Sequence, residues 1–331
     1  MNSFTYARAQ DVQTALQEKT TALDGRFIAG GTNLTDLMKV NVEQPSHVID
    51  IRRLPFNQIT ETEVVGLRLG ALVTNAETAY NKQIEQRYPL LAKAILAGAS
   101  AQLRNRATNG GNPLQRTRCY YFYDTATACN KREPGSGCSA IKGYNRIHAI
   151  LGTSESCIAV HPSDMAVALT ALDATVNVNG PNGERSIPFL DFHRLPGDTP
   201  HLDTNLGPDE IITSIDLPAQ GFAEYNTYLK LRDRASYAFA LVSVAAALEL
   251  EGTIIKEVRI ALGGVAHKPW RQPEVEANLV GKEVNAENLQ NAAEALLTGA
   301  KGYGHNNFKI ELAKRAIVRA LLQAAKMEDS K

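Results

Sequence analysis

The chain has 331 residues, with 35 Lys and Arg against 35 Asp and Glu, and 44% of its residues are hydrophobic. That length allows about two domains of ordinary size. Zero net charge argues against a broadly basic nucleic-acid or membrane-surface binder and leaves small molecules and proteins as partners. Four cysteines are too few for a disulfide scaffold, yet all of them fall between Cys119 and Cys157.

The N-terminal stretch holds no apolar run resembling a signal-peptide core. The longest apolar stretch, Tyr237 to Leu250, is interrupted by Ser243 and Glu249 and is too short to span a bilayer. The expectation is a soluble protein with no signal peptide of its own, no nucleic-acid partner and no membrane insertion. It would reside in the periplasm by export alongside a partner, or in the cytoplasm.

In chain order, Asp11 followed by Val12, Ala15 and Leu16 predicts a capped amphipathic helix. Asp24-Gly25 then turns into a short strand, Phe27-Ile-Ala29, and Gly30-Gly31 leads at once into a helix marked by Leu34, Leu37 and Met38. His47 to Ile51 and Leu67 to Val73 are further strands, and helical patterns run to about Ala97. From about Asn105 to Cys157 periodicity is lost, and long irregular segments inside a domain are usually functional. Regular structure resumes with a helix containing Met165, Ala168, Leu169 and Leu172, then a hairpin around Gly180-Pro-Asn-Gly183. After a break at Pro218 to Ala223 come strands Tyr225 to Leu231, Phe239 to Leu250 and Val258 to Leu262. Helices near Ala286 to Leu297 and Asn307 to Ala325 complete a small α+β domain.

Two Gly-Gly pairs with Thr and Asn neighbours suit a diphosphate, because glycine lets backbone N–H groups approach it closely. They lie in Phe27-Ile-Ala-Gly-Gly-Thr-Asn-Leu34 and Ala107-Thr-Asn-Gly-Gly-Asn112. Simple chain turns are the competing explanation. The cysteines run Cys119-x9-Cys129-x8-Cys138-x18-Cys157. Zinc, an iron–sulfur cluster, disulfides and buried thiols all remain open, although structural zinc usually presents C-x2–4-C knuckles that are missing here. From Gln102 to His148 there are eight cationic side chains (Arg104, Arg106, Arg116, Arg118, Lys131, Arg132, Lys142 and Arg146) against Asp124 and Glu133. Local positive charge favours thiolates and the electron that a cluster accepts, which places [4Fe–4S] ahead of zinc. His161 is a candidate extra ligand, and a structural role is the alternative. Asp164 reads as a helix cap or a ribose contact, Lys230 as a strand residue, and Tyr120 to Tyr123 as a packing or stacking cluster. No nucleophile–base pair stands out, so no catalytic side chain is expected.

These segments, with Gln102 to Asn112, Pro162 to Ala174 and Gly263-Gly-Val-Ala-His-Lys-Pro-Trp-Arg271, resemble the FAD-binding subunits of molybdenum hydroxylases. That is the xanthine dehydrogenase, carbon monoxide dehydrogenase and aldehyde oxidoreductase family. The cysteine segment is similar to the insertion in flavoprotein subunits of bacterial periplasmic aldehyde oxidoreductases and of 4-hydroxybenzoyl-CoA reductases. The resemblance implies an α+β fold: an FAD-binding domain of the vanillyl-alcohol-oxidase (PCMH) type with two α/β subdomains, plus a C-terminal α+β domain of the CO dehydrogenase flavoprotein type. The domains would cover 1–221, with subdomains about 1–55 and 56–221 and a [4Fe–4S] insertion about 113–160, and 222–331. It also implies FAD held by Arg26, Phe27, Ile28, Ala29, Gly30, Gly31, Thr32, Asn33 and Leu34, and by Ala107, Thr108, Gly111 and Asn112. Asp164 would take sugar or ribityl hydroxyls, Lys230 would sit near the flavin ring, and Ile211 or Ile212 would lie against the isoalloxazine. Asn33 departs from the Asp that many relatives carry. Cys119, Cys129, Cys138 and Cys157 would hold the cluster. The implied partners are a molybdenum-cofactor catalytic subunit and a [2Fe–2S] subunit, in a heterotrimer or its dimer, and an external electron acceptor. A nucleotide-binding structural or regulatory protein with a four-cysteine zinc site is the competing function.

Overall fold

A computed structural model describes residues 1–327; positions 328–331, the end of the expected C-terminal domain, lie outside the described residues. Near the N-terminus β1 (Thr5–Arg8), β2 (Arg26–Ile28) and β3 (His47–Asp50) form a parallel sheet in the order β1-β3-β2. Parallel neighbours need a crossover. Helices Val12–Thr21 and Leu34–Lys39 supply them, the first capped by Asp11, which accepts the N–H of Thr14 at 2.7 Å. The expected strand, glycine turn and helix are all present. β1 is mostly exposed and has no apolar alternation to mark it in the sequence.

The next strands are β4 (Ile59–Glu61), β5 (Leu67–Gly70), β6 (Thr175–Gly180), β7 (Gly183–Pro188) and β8 (Ile211–Leu217). They build a second sheet, antiparallel throughout, in the order β4-β5-β8-β6-β7. The predicted hairpin is β6–β7. Central β8 escapes sequence reading because its pairing with β6 shifts: Asn177 faces Ser214 while Val178 faces Ile212, leaving Thr213 as a bulged residue. A bulge breaks the period of two that would mark a strand.

Beyond the break lie β9 (Tyr225–Leu231), β10 (Val242–Glu251) and β11 (Ile254–Gly263), an antiparallel sheet in the order β11-β10-β9. The unbroken apolar run of β10 follows from burial of both faces. Val244, Ala246 and Leu248 join the core under helices Ala286–Leu296 and Phe308–Ala324. Ala245 and Ala247 join the core of the second sheet instead, where helix Asp164–Ala171 packs against β10 and β11. All eight residues of that helix are buried, as expected of one that is apolar on every side.

The irregular segment contains two one-turn helices, Tyr120–Tyr123 and Ser139–Lys142, and backbone bridges between Cys129 and Cys138 and between Ser154 and Cys157. Its small apolar cluster combines Leu37, Phe122 and Ile158 with the cysteines. Backbone N–H groups of Ile150 and Leu151 donate to Val265 O at 2.9 and 3.0 Å, and that of His161 donates to Ala266 O at 3.1 Å. The segment is therefore fastened to the last domain as well as to its own. No helix among the described residues is long and apolar enough to cross a membrane.

Arg271 closes the far end of the buried helix. It donates to Thr170 O at 2.8 Å and to both Glu276 oxygens at 2.7 and 2.9 Å, and it also meets Asp173. Arg271→Met strands a buried carboxylate, so a loss of about 3–5 kcal/mol is expected. Urea unfolding of the variant measures it. A midpoint equal to the wild type would show that these charges stabilise nothing.

Candidate functional site

β2 delivers Arg26, Phe27 and Ile28 to the turn Ala29-Gly30-Gly31-Thr32, which opens into helix Leu34–Lys39. At Gly30 a Cβ would lie 1.9 Å from Arg106 O and 3.2 Å from Ala107 N, so only glycine lets the first loop rest on the second. Gly31 has φ +75°, in the left-handed region. The two predicted glycine loops, about eighty residues apart in sequence, are thus in backbone contact. Gly110, the first glycine of the second pair, presses on Ala71, where an added Cβ would stand 2.8 Å from the alanine Cβ.

The second loop is fixed by a buried amide network. Asn109 Oδ1 accepts from Thr78 at 3.0 Å and Asn75 at 3.3 Å, and Asn112 Nδ2 donates to Asn75 Oδ1 at 2.7 Å. Ser163 donates to Asn112 Oδ1 while its own oxygen caps the next helix by accepting the N–H of Ala166 at 2.9 Å. Gly111 donates its N–H to Thr108 Oγ1 at 3.3 Å. Asn33 Oδ1 accepts the backbone N–H of Arg116 at 2.9 Å, whereas its Nδ2 is buried with no partner. An Asp there would accept the same bond but could offer no donor. The unpaired Asn33 N–H is a group that a bound polyanionic cofactor would satisfy.

Asp164 and Lys230, far apart in sequence, form one buried ion pair at 2.8 Å, with side chains 8% and 4% exposed. Lys230 also donates to Ala97 O at 3.0 Å, and Tyr228 donates to the other Asp164 oxygen at 2.7 Å. Burial, then the Asp164 charge, pushes the Tyr228 phenol well above its ordinary pKa, so it remains a donor. Ile212 packs into the core of the second sheet. Its neighbour Ile211 joins the cluster containing Phe27 and Ala29, so Ile211 is the one of the pair placed beside the first loop.

The four cysteines line a single cavity together with Thr117, Phe122 and Lys131. All are free, and Cys119, Cys129 and Cys157 are buried. Among the described residues no group of three or more His, Cys, Asp or Glu side chains could hold a metal ion as they stand. Burial, reinforced by the neighbouring cysteines, pushes the Cys119 thiol up to about 12. Burial also takes Cys157 up to about 11, against the opposing charge of Lys131. Both are protonated at neutral pH unless a cationic group enters to exchange with those protons.

The surrounding positive charge is mostly spoken for. Lys131 meets Asp203 at 2.5 Å, Arg116 joins Asp203 at 2.8 Å to Glu43 at 2.7 Å, and Glu43 reaches Arg26 at 3.4 Å. This chain of ions runs from the first glycine loop to the cysteine cavity. Burial works to raise the Asp203 pKa, but Lys131 and Arg116 outweigh it and hold that carboxyl well below the usual range. Arg132 donates to the carbonyls of Tyr121 and Phe122 at 2.8 and 2.9 Å, and Arg146 pairs with Asp233 at 2.7 Å. His161 is not at the cavity. Its Nε2 lies 3.1 Å from Pro113 O and its ring centre 4.2 Å from that of His193. The histidine at the cysteines is His148, with Nε2 3.0 Å from Cys119 Sγ. Its place between Cys138 and Cys157 was the available sequence signal.

Residues 2–220 match the family model described as FAD binding domain in molybdopterin dehydrogenase, and residues 227–324 match the CO dehydrogenase flavoprotein C-terminal domain. The chain is 48% identical to the aldehyde oxidoreductase FAD-binding subunit PaoB of Escherichia coli (strain K12), over 98% of this chain and 99% of that one. It is 31% identical to the glyceraldehyde dehydrogenase medium chain of Sulfolobus acidocaldarius, over 88% of this chain and 85% of that one. Among solved structures, a chain of carbon monoxide dehydrogenase from Hydrogenophaga pseudoflava superposes with a TM-score of 0.77 at 26% identity, covering 98% of both chains.

Burial, the first cause for each, lowers His148, His161 and His267 to about 4 and His193 well below its ordinary value. The unfolded chain binds these protons near pH 6.5, so stability is complete above that pH and is lost as pH falls from about 6.5 toward 4. The urea midpoint is expected to be clearly lower at pH 5 than at pH 7.5. Equal midpoints would mean that the four imidazoles are not buried in the neutral form.

Proposed function

The chain belongs to the family of FAD-binding subunits of molybdenum hydroxylases, and on that premise we propose that it is the FAD- and [4Fe–4S]-carrying electron-transfer subunit of a molybdenum-dependent aldehyde oxidoreductase. Aldehyde as the substrate class of the whole complex is supported by full-length identity to the aldehyde oxidoreductase subunit. The aldehyde itself would be oxidised on a molybdenum-cofactor subunit, with a [2Fe–2S] subunit between it and this chain. When bound, FAD supplies exchange of one or two electrons, and a [4Fe–4S] cluster supplies one-electron transfer on the way to an external acceptor.

The protein's own part is binding, orientation and charge. Arg26 to Leu34 and Ala107 to Asn112 would hold the FAD diphosphate: Gly30 lets the two loops meet backbone to backbone, and Gly31, at φ +75°, gives the first loop a turn that other residues rarely adopt. Asn33 Nδ2, in the first loop, is a buried donor without a partner. Asp164 and Lys230 hold each other in place, and a fixed ammonium in a buried site favours negative charge developing nearby.

The observation that carries the proposal is the convergence of four free cysteines on one cavity in a chain that also holds the two-loop glycine cradle. The donor set is the one that iron–sulfur clusters take. A cluster spreads its four ligands over several irons, so it does not require the tight convergence on one ion that zinc demands.

The visible spectrum of the purified protein tests both cofactors. Flavin bands over broad iron–sulfur absorption are expected, while a colourless protein containing zinc would support the competing reading. Cys129→Ser should lose the cluster signal and keep FAD; an undiminished [4Fe–4S] EPR signal would remove Cys129 from the ligand set. Gly31→Val should lose FAD while circular dichroism confirms the fold, and full flavin occupancy would contradict the cradle.

A further inference from the structure

We propose that His148 is a positioning residue for the cysteine-bound group, donating its Nε2–H to Cys119 Sγ and thereby favouring the more reduced state of the cluster. This inference rests on the [4Fe–4S] reading above and adds a residue that the cysteine spacing does not contain.

The geometry assigns the proton. His148 is 1% exposed, its Nε2 is 3.0 Å from Cys119 Sγ, and its Nδ1 is buried with no partner. A cluster-bound cysteine sulfur has no S–H to donate. The only hydrogen bond available to the pair is then Nε2–H to sulfur, and the tautomer with hydrogen on Nδ1 would leave a buried donor unpaired.

The backbone of His148 is held by the C-terminal domain. His148 O accepts from Lys309 Nζ at 2.8 Å and from Asn306 Nδ2 at 3.3 Å, and both of those residues are wholly buried. Its N–H donates to Asn145 O at 3.0 Å, and the rings of Tyr120 and Tyr121 flank the imidazole at 6.3 Å. With backbone and ring both fixed, the N–H dipole points at the sulfur before and after an electron arrives. A donor to cluster sulfur stabilises the added negative charge and raises the reduction potential.

The test uses the protein purified with its partner subunits. An EPR-monitored redox titration compares wild type with His148→Phe, which keeps a ring without a donor, and His148→Gln, which restores an N–H. Iron, sulfide and FAD content are expected to be unchanged, with the cluster midpoint lowered in the Phe variant and moved back toward wild type in the Gln variant. Pulsed EPR on the unmutated protein, labelled with 15N-histidine, should show histidine nitrogen coupling and one exchangeable proton at the reduced cluster. If the Phe variant loses its cluster on purification, the labelled protein decides. A full cluster with an unmoved midpoint, or a labelled protein without histidine coupling, overturns this inference alone. Unmutated protein without any [4Fe–4S] signal overturns it together with the cluster reading.

Discussion

Asp164 can be buried beside Lys230 because the helix that it begins is itself buried on every side. Ser163 caps that helix and is tied through Asn112 to the second glycine loop, while Arg271 closes the other end from the last domain. One short helix therefore sets the distance between the two sheets and fixes a carboxylate at their seam. The alanines of β10 that face it are small because backbone must approach backbone there, and the larger residues of the same strand turn toward the C-terminal helices. Elements of both domains pack against this helix.

The parts of the fold with a regular sequence period were legible from residues alone. The capped first helix, the glycine turn between Phe27 and Leu34, the β6–β7 hairpin and the final helices all have local causes. β8 did not show, since Thr213 interrupts its alternation, and β1 did not, since it has almost no buried residue to mark it. In the site, both glycine loops could be named from composition, but not that one rests on the other. That contact depends on Gly30 meeting Arg106 O, which no local pattern records.

Charge was the least legible quantity. The excess of cations around the cysteines suggested a positive field, yet the folded chain uses Arg116 and Lys131 to bury Asp203 and turns Arg132 onto carbonyls. Asp203 lies far along the chain from both cations, so its neutralising role was invisible to any window of sequence. His161 stood out as the histidine nearest the cysteines on their C-terminal side, whereas His148 reaches Cys119 through the fold. Counting charges in a segment gives its composition; the potential inside it is set by partners that come from elsewhere.

The backbone bonds from Ile150, Leu151 and His161 to Val265 and Ala266 have a consequence for modularity. A segment that lies in one domain's stretch of chain but is stitched by main chain to another is not a cassette. Grafting it onto a homologous scaffold would also require the receiving 264–266 and 301–309 loops, since Lys301 N–H donates to Ile150 O at 2.8 Å and Lys309 and Asn306 hold the His148 carbonyl. Gain or loss of the cysteine segment in a lineage is therefore expected to be accompanied by changes in two loops that lie more than a hundred residues downstream.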